Sequence, residues 1–366
     1  MKSISPGQLV MLMSIYLYSE TAGFLSAPIA KTASYNAVVS LCLGACMGYV
    51  IMLFSTALAR LNLDEYFAVF GKYILGKWLH YPLIFMLIAY CLHRASMTTR
   101  NLGDFLLVNH LPTTPEAVIL VLVGTGVAFT VRAGVQAIAR VAEVLFFINI
   151  LLFVMLTPLL LGVEIQIPMV RAFVTNFNPV QTAAGMFQAT PWFGDGFVIL
   201  FLYPHLKQHL KVNRMLFRGL LISLGLILSY LIPSILAFGP ALTGKMTYPV
   251  MEYVRMLRIA DFIETLDPFL TILWIPAIIV KISLLIYAAV VSLARIFALK
   301  DFKPLSFSVT ALVTGYSIHF TGNSTNLLNF MTVDWPAFAL TMQLIPVLYW
   351  TVGKLRGKNS AMKKAR

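Results

Sequence analysis

Apolar stretches of bilayer-crossing length recur from one end of this chain to the other, and that recurrence constrains the fold more than any other feature. A helix needs about 20 predominantly apolar residues to cross the hydrocarbon core. Backbone N–H and C=O groups inside that core must be satisfied within the segment itself. The 366 residues are 59% hydrophobic and only 11% charged, which excludes a soluble domain. The runs therefore predict an all-α membrane protein with about ten transmembrane helices. The expected spans are residues 7–30, 37–59, 79–107, 116–131, 141–162, 186–205, 216–239, 266–298, 306–320 and 335–353. The fourth and ninth are short. The third and eighth are long enough to tilt or to project beyond the bilayer. Residues 63–75 and 248–263 read as amphipathic helices at the interface, the second with Tyr248, Met251, Val254 and Leu257 spaced for one face.

The first span carries an acid where none is cheap. Ser19-Glu20-Thr21-Ala22-Gly23-Phe24-Leu25-Ser26-Ala27-Pro28 places a carboxylate, small residues and a glycine in its middle. An intramembrane carboxylate must be paired or face water. Glycine lets a helix unwind and a ligand approach its backbone. The stretch reads either as a broken helix that holds a ligand or as a kinked packing helix with small residues at its interface. Ala189-Thr190-Pro191-Trp192-Phe193-Gly194-Asp195-Gly196 opens the second half with a matching interruption. Paired Gly/Pro-broken spans in corresponding halves point to a transporter-like site at the midplane. This predicts a first repeat over 7–162, a second over 181–320, a last span at 335–353 and a basic tail at 354–366. Gly23 and Gly194 are the expected unwound points.

Charge sets the orientation. Lys2, Arg60, Lys72, Lys77, Arg132, Arg140, Lys207, Lys211, Arg214, Arg218, Arg295, Lys300, Lys303 and the basic tail fall on one side of the span pattern. Lys31, Arg100, Arg171, Lys245, Arg255 and Arg258 fall on the other. The positive-inside rule then puts both termini in the cytoplasm. The net charge of +13 accordingly reflects topology and an anionic lipid surface, not nucleic acid. The start does not read as a cleaved signal peptide, because a single lysine leads into a full-length span with no small-residue cleavage site. Cys42, Cys46 and Cys91 all fall inside spans and read as small packing residues.

Four residues deep in spans can carry charge: Glu20, Arg94, Asp195 and Lys281. Two acids and two bases make a set that can be neutral. Buried charges persist when paired or when they line a wet cavity. The set reads as a shared polar pocket among spans 1, 3, 6 and 8, or as structural ion pairs. Tyr90, Arg94, Met97, Thr98 and Asn101 recur at helical spacing on one face of the third span. No HExxH, GxSxG or phosphate loop occurs, so no enzyme is expected. His205 and His209 stand at the spacing of a metal pair without a third ligand, and neither a metal nor a cofactor is expected.

Along nearly its whole length the chain resembles the spore germination permeases, the B subunits of nutrient germinant receptors in the amino acid–polyamine–organocation superfamily. The matching stretches are Ser5-Pro6-Gly7-Gln8, Ala22-Gly23-Phe24-Leu25-Ser26-Ala27-Pro28, Arg94-Ala95-Ser96 through Thr99-Arg100, and Arg132-Ala133-Gly134 with Ala139-Arg140. Phe193-Gly194 with Leu202-Tyr203-Pro204, and Leu273-Trp274-Ile275, complete them. The resemblance implies a leucine-transporter-like 5+5 inverted repeat with helices 1 and 6 broken. It implies a nutrient-sensing subunit that binds a small molecule, usually an amino acid, at mid-membrane to trigger germination. It also implies the spore inner membrane, and A-type membrane and C-type lipoprotein subunits as partners. A secondary transporter of an amino acid or related solute is the alternative on the same fold.

The ligand-binding residues expected on this basis are Glu20, Ala22, Gly23, Tyr90, Arg94, Thr98, Phe193, Gly194, Asp195 and Lys281. Amides freed around Gly23 would take a carboxylate, with Phe193 and Tyr90 as side-chain walls. The chain departs from the common pattern at three places. Glu20 and Thr21 precede Ala22-Gly23, Asp195 follows Gly194, and Arg94 and Lys281 stand where apolar or hydroxyl residues often occur. Lys281 would supply permanently the positive charge that sodium-coupled members of the fold bind between spans 1 and 8, or else would simply neutralise an acid.

Overall fold

The computed structural model describes residues 3–63, 65–161, 167–207, 209–256, 267–320, 330, 332 and 334–356. The first helix starts where its sequence dictates. Ser5 Oγ accepts from Gln8 N–H at 3.2 Å and Gln8 Oε1 from Ser5 N–H at 3.1 Å, a reciprocal cap with Pro6 in the first turn. The helix α1 spans Pro6–Phe24 and α2 spans Ser26–Ala33. The break between them has a cause in Pro28, which has no N–H for the Phe24 carbonyl four residues earlier and whose ring would strike it. Leu25 at the break keeps near-helical angles and donates to Thr21 O at 3.2 Å, so the span loses one residue of regularity. The chain then turns through Ser34, which takes a φ of 51°.

The longer of the remaining helices coincide with expected spans, and short ones lie between them. They are α3 (Ala37–Ala59), α4 (Phe67–Phe70), α5 (Lys72–Leu75), α6 (Lys77–Asn109), α7 (Glu116–Ala133), α8 (Val135–Leu161) and α9 (Ile167–Thr175). The second half contains α10 (Pro179–Gly194), a 3₁₀ turn over Asp195–Val198, α11 (Ile199–Leu202), α12 (Val212–Thr243), α13 (Pro249–Met256), α14 (Asp267–Ile296) and α15 (Lys303–Ile318). Asp334–Gln343 and Ile345–Leu355 form α16 and α17. On length and composition, Ser26–Ala59, Glu116–Ala133, Val135–Val154, Val212–Thr243, Leu270–Ile296 and Asp334–Leu355 can each cross a membrane. The span holding α10 gives way at Asp195 to tighter 3₁₀ winding, a geometry that marks strain or a hinge inside a helix. Gly239, with φ 71°, and Pro240 kink α12.

Two groups of helices pack as bodies. In one, α1 lies along α12 and α3 along α10, with α3 also on α12. In the other, α6 and α7 pack with α14 and α15. At the α3–α10 crossing, Gly44 and Gly48 sit directly against Ala189, Thr190 and Phe193, where a side chain would force the backbones apart. The segment expected to lie on the interface at 63–75 is instead docked. His80 hydrogen-bonds Tyr349 Oη at 2.8 Å and Ala68 O at 2.9 Å, and Phe67, Phe70 and Ile74 are buried beside it. Of the expected helix 248–263, Pro249–Met256 is helical with Val250, Met251, Tyr253 and Val254 buried, Tyr248 precedes the helix, and 257–263 lie outside the described residues. The same holds for residues 357–366 of the basic tail. At the N-terminal end, Ile4 N–H donates to His205 O at 2.8 Å and Lys207 N–H to Ile4 O at 3.1 Å. The start of α1 is thereby tied to the end of the broken sixth span.

Candidate functional site

The four intramembrane charges meet. Glu20 comes from α1, Asp195 from the 3₁₀ turn after α10, Arg94 from α6 and Lys281 from α14, and none exposes any surface. Arg94 Nη2 lies 2.7 Å from Glu20 Oε2 and Arg94 Nε 2.8 Å from Asp195 Oδ2. Lys281 Nζ lies 3.1 Å from the same two carboxylate oxygens, a charge pairing with both rather than a directed hydrogen bond to either. The acids therefore sit on the two interrupted helices and the bases on the two long ones. Each base bridges both acids.

Neutral donors complete the carboxylates. Asn101 Nδ2 donates to Glu20 Oε1 at 2.9 Å and Thr98 Oγ1 to Glu20 Oε2 at 3.0 Å. Tyr90 Oη donates to Asp195 Oδ1 at 2.9 Å, and Tyr16 Oη to the Asp195 carbonyl at 3.2 Å. Gln343 Nε2, from α16, reaches Tyr90 Oη and Pro191 O at 2.8 Å and Asp195 Oδ1 at 3.1 Å. The Arg94 guanidinium carbon is 4.9 Å from the Trp192 ring centroid and 4.6 Å from that of Trp335. Lys281 Nζ is 5.3 Å from the Tyr16 ring. Cation–π contacts of this kind gain strength when desolvated. Such a cluster holds charge at depth because every member has an opposite partner and the two carboxylates take further hydrogen bonds from neutral donors.

The polar face expected on the third span therefore points at the two acids, through Tyr90, Arg94, Thr98 and Asn101. Phe193 does not join it. Its Cβ lies against Gly48 of α3, and its neighbour Trp192 is the aromatic beside Arg94. The two glycines serve close approach rather than unwinding. Gly23 lies inside α1 with the Trp274 indole seated on it, and that indole N–H donates to Ser19 O, the carbonyl one turn earlier. Gly194 ends α10 at φ −59°, and its missing side chain leaves room for Gln343. Ala22 faces an aromatic pocket of Tyr18, Tyr230, Tyr248 and Trp274. Sequence reasoning missed Tyr16, Trp192, Trp335 and Gln343 as members. Aromatic and amide residues are common in spans, and only proximity to a charge sets these four apart.

Beyond the break in the first span, a cavity of about 990 Å³ opens between α2 and the kink of α12, with Pro28, Gly239 and Pro240 in its wall and Lys31 and Lys245 at its rim. Phe24, Phe105, Tyr248 and Trp274 stack on one another edge-to-face and face-to-face. Among the described residues no His, Cys, Asp and Glu cluster could hold a metal ion. His205 instead shares its ring nitrogen with Tyr66 Oη at 2.8 Å and Tyr287 Oη at 3.1 Å.

Two broken helices set against two continuous ones, with charge at the crossing, is the arrangement by which discontinuous-helix transporters hold solutes. Comparison with known proteins gives the family. A profile described as spore germination protein matches residues 3–325. The chain belongs to that family. Spore germination protein KB of Bacillus subtilis (strain 168) is 26% identical over 261 residues, covering 70% of this chain and 69% of the relative. Spore germination protein XB of Bacillus anthracis is 26% identical over 215 residues, covering 58% of this chain and 59% of the relative. The match thus spans somewhat less than two thirds of the second protein. Among solved structures, MhsT in complex with L-phenylalanine aligns with a TM-score of 0.69 at 14% identity, over 93% of this chain and 88% of that one. Mhp1, a nucleobase-cation-symport-1 family transporter in a closed conformation with bromovinylhydantoin bound, aligns at 0.63, also 14% identical, over 93% and 78%. This member of the spore germination family is therefore a multi-pass membrane protein with the leucine-transporter-like fold.

Proposed function

We propose that this chain is the nutrient-sensing, permease-like subunit of a spore germinant receptor. It binds an amino acid at mid-membrane and passes that event to an A-type membrane subunit and a C-type lipoprotein. It works in the spore inner membrane with both termini in the cytoplasm. The observation that carries the reading is the distribution of charge. Both acids lie on interrupted helices, both bases lie on the long ones, and the set is neutral and fully buried.

A zwitterion adds no net charge to such a set and brings an opposite partner for each ion that it displaces. Its carboxylate takes a place at Arg94 and Lys281, and its ammonium takes the place they leave at Glu20 and Asp195. Every ion keeps a partner, so the exchange avoids the uncompensated charge that makes breaking a buried pair expensive, roughly 3–5 kcal/mol. The interrupted helices shift relative to the long ones as the pairs exchange, and a two-state element biased by ligand is what a sensor requires. Thr98 and Tyr90 orient the acids. Ala22, Gly23, Phe193 and Gly194 act by shaping the helices around them.

The leucine-transporter-like fold favours a second reading, a secondary transporter of an amino acid or related solute. Spores carrying this chain with its partner subunits should germinate with a defined amino acid, and Asp195→Asn should abolish the response while the protein is still made. Proteoliposomes of the chain alone should bind that amino acid without accumulating it. Accumulation against a gradient would replace the sensor with the transporter.

A further inference from the structure

Beside the charge cluster lie polar groups that nothing in the described structure satisfies. Gln188, 1% exposed, has neither its carboxamide oxygen nor its nitrogen hydrogen-bonded, and the indole N–H groups of Trp192 and Trp335 are likewise buried without a partner. The other polar side chains of α10 are occupied. Gln181 accepts from Asn36 Nδ2 at 3.3 Å, and Thr182 and Thr190 donate to carbonyls one turn earlier. A buried polar atom without a partner costs about 1–3 kcal/mol. A fully buried carboxamide offers two donors and two acceptor sites, so Gln188 is a large unmet demand.

The place of these groups is informative. Gln188 and Trp192 are four residues apart on one face of α10, neighbours on the helix surface. The Trp192 and Trp335 rings are 5.2 Å apart, and both lie against the Arg94 guanidinium. The unmet donors and acceptors thus adjoin the charges proposed to take the ligand's α-carboxylate and α-ammonium. They are where its side chain would extend.

We infer that the ligand is an amino acid with a neutral hydrogen-bonding side chain of the carboxamide class, and that Gln188 reads it. The inference rests on the proposed mid-membrane amino acid site. A second carboxamide is complementary to the first, each giving an N–H to the other's carbonyl oxygen, and the indole N–H groups add donors to the ligand's oxygens. An aliphatic side chain leaves Gln188 unpaired. A carboxylate side chain leaves the site with one negative charge that has no counterion, and an ammonium side chain leaves it with one such positive charge. Sites built to hydrogen-bond a substrate group discriminate strongly against analogues that lack it.

The test is calorimetric titration of the purified full chain in detergent with L-asparagine, L-glutamine, L-leucine, L-alanine and L-glutamate in turn, with Gln188→Met as a near-isosteric variant whose folding is checked by thermal melting. The two carboxamides should bind at least about tenfold more tightly than the other three. Gln188→Met should bring leucine to within about threefold of glutamine. The wild-type ranking needs no variant to fold. Leucine or alanine binding more tightly than both carboxamides, or an unchanged ranking in a folded Gln188→Met protein, overturns the inference and leaves the sensor reading standing. Failure of every amino acid to bind overturns both.

Discussion

Removing Arg94 tests the charge cluster most directly. Arg94 contacts Glu20 at 2.7 Å and Asp195 at 2.8 Å with all three side chains fully buried. In Arg94→Ala, two carboxylates remain facing the single ammonium of Lys281, and one negative charge has no counterion. Breaking a buried pair from one side costs roughly 3–5 kcal/mol. Arg100 is a matched control six residues along the same helix. It pairs with Asp104 at 3.1 Å and Glu116 at 2.6 Å, but Glu116 is 28% exposed. Water can take over at that end, so Arg100→Ala should cost less, roughly 1.5–3 kcal/mol. The sharper measurement is a double-mutant cycle. Arg94→Met with Asp195→Asn leaves Glu20 facing Lys281, a neutral pair, so the double variant should be more stable than the sum of the singles by about 1–3 kcal/mol. Unfolding in mixed micelles with increasing sodium dodecyl sulfate, followed by tryptophan fluorescence, reads all four corners. Equal, mild effects of Arg94→Ala and Arg100→Ala, or strictly additive singles, would refute the reasoning.

Lys281 stands 3.1 Å from Glu20, and on the reading that its ammonium takes the place of a bound cation, germination should proceed equally in sodium and choline buffers. Lys281→Ala should abolish the response, and Lys281→Arg should keep only part of it because the planar guanidinium is larger; a strict sodium requirement in the unmodified protein would remove the idea. Gly23→Ala places a methyl on the Trp274 indole, an overpacking worth about 1–3 kcal/mol by micellar unfolding, and Trp274→Leu in the same chain should relieve most of it. Pro28→Ala restores an N–H to the Phe24 carbonyl, so α1 and α2 should join, with higher thermal stability and a weaker germinant response. A response unchanged by that substitution would show that the break has no part in signalling.

Much of the site was legible because charge in a membrane is conspicuous. Glu20, Arg94, Asp195 and Lys281 stand out against an apolar background, and their neutrality as a set already implied pairing. The face of the third span was readable for the same reason, since helical spacing puts Tyr90, Arg94, Thr98 and Asn101 together whatever the rest of the fold does. Gln343, Trp335 and Gln188 were not readable. An amide or indole in a span looks the same whether it caps a carbonyl, packs against lipid or waits for a ligand.

Local chemistry decides what is local. The length of each apolar run made the helices, Ser5 and Gln8 started the first one, and Pro28 broke it by withholding a single hydrogen from Phe24. Tertiary structure decided how those elements use one another. A glycine in a span permits unwinding and close packing equally. The Trp274 ring from the eighth span, lying on Gly23, selected packing, and Gln343 did the same at Gly194. Likewise Trp192 and Phe193 are adjacent and alike in composition. The close crossing of α10 over Gly44 and Gly48 turned Phe193 toward α3 and left Trp192 beside Arg94. Which of two equivalent neighbours faces the charges depends on the rotation of a helix about its own axis, and that rotation is set by packing against residues more than a hundred positions away.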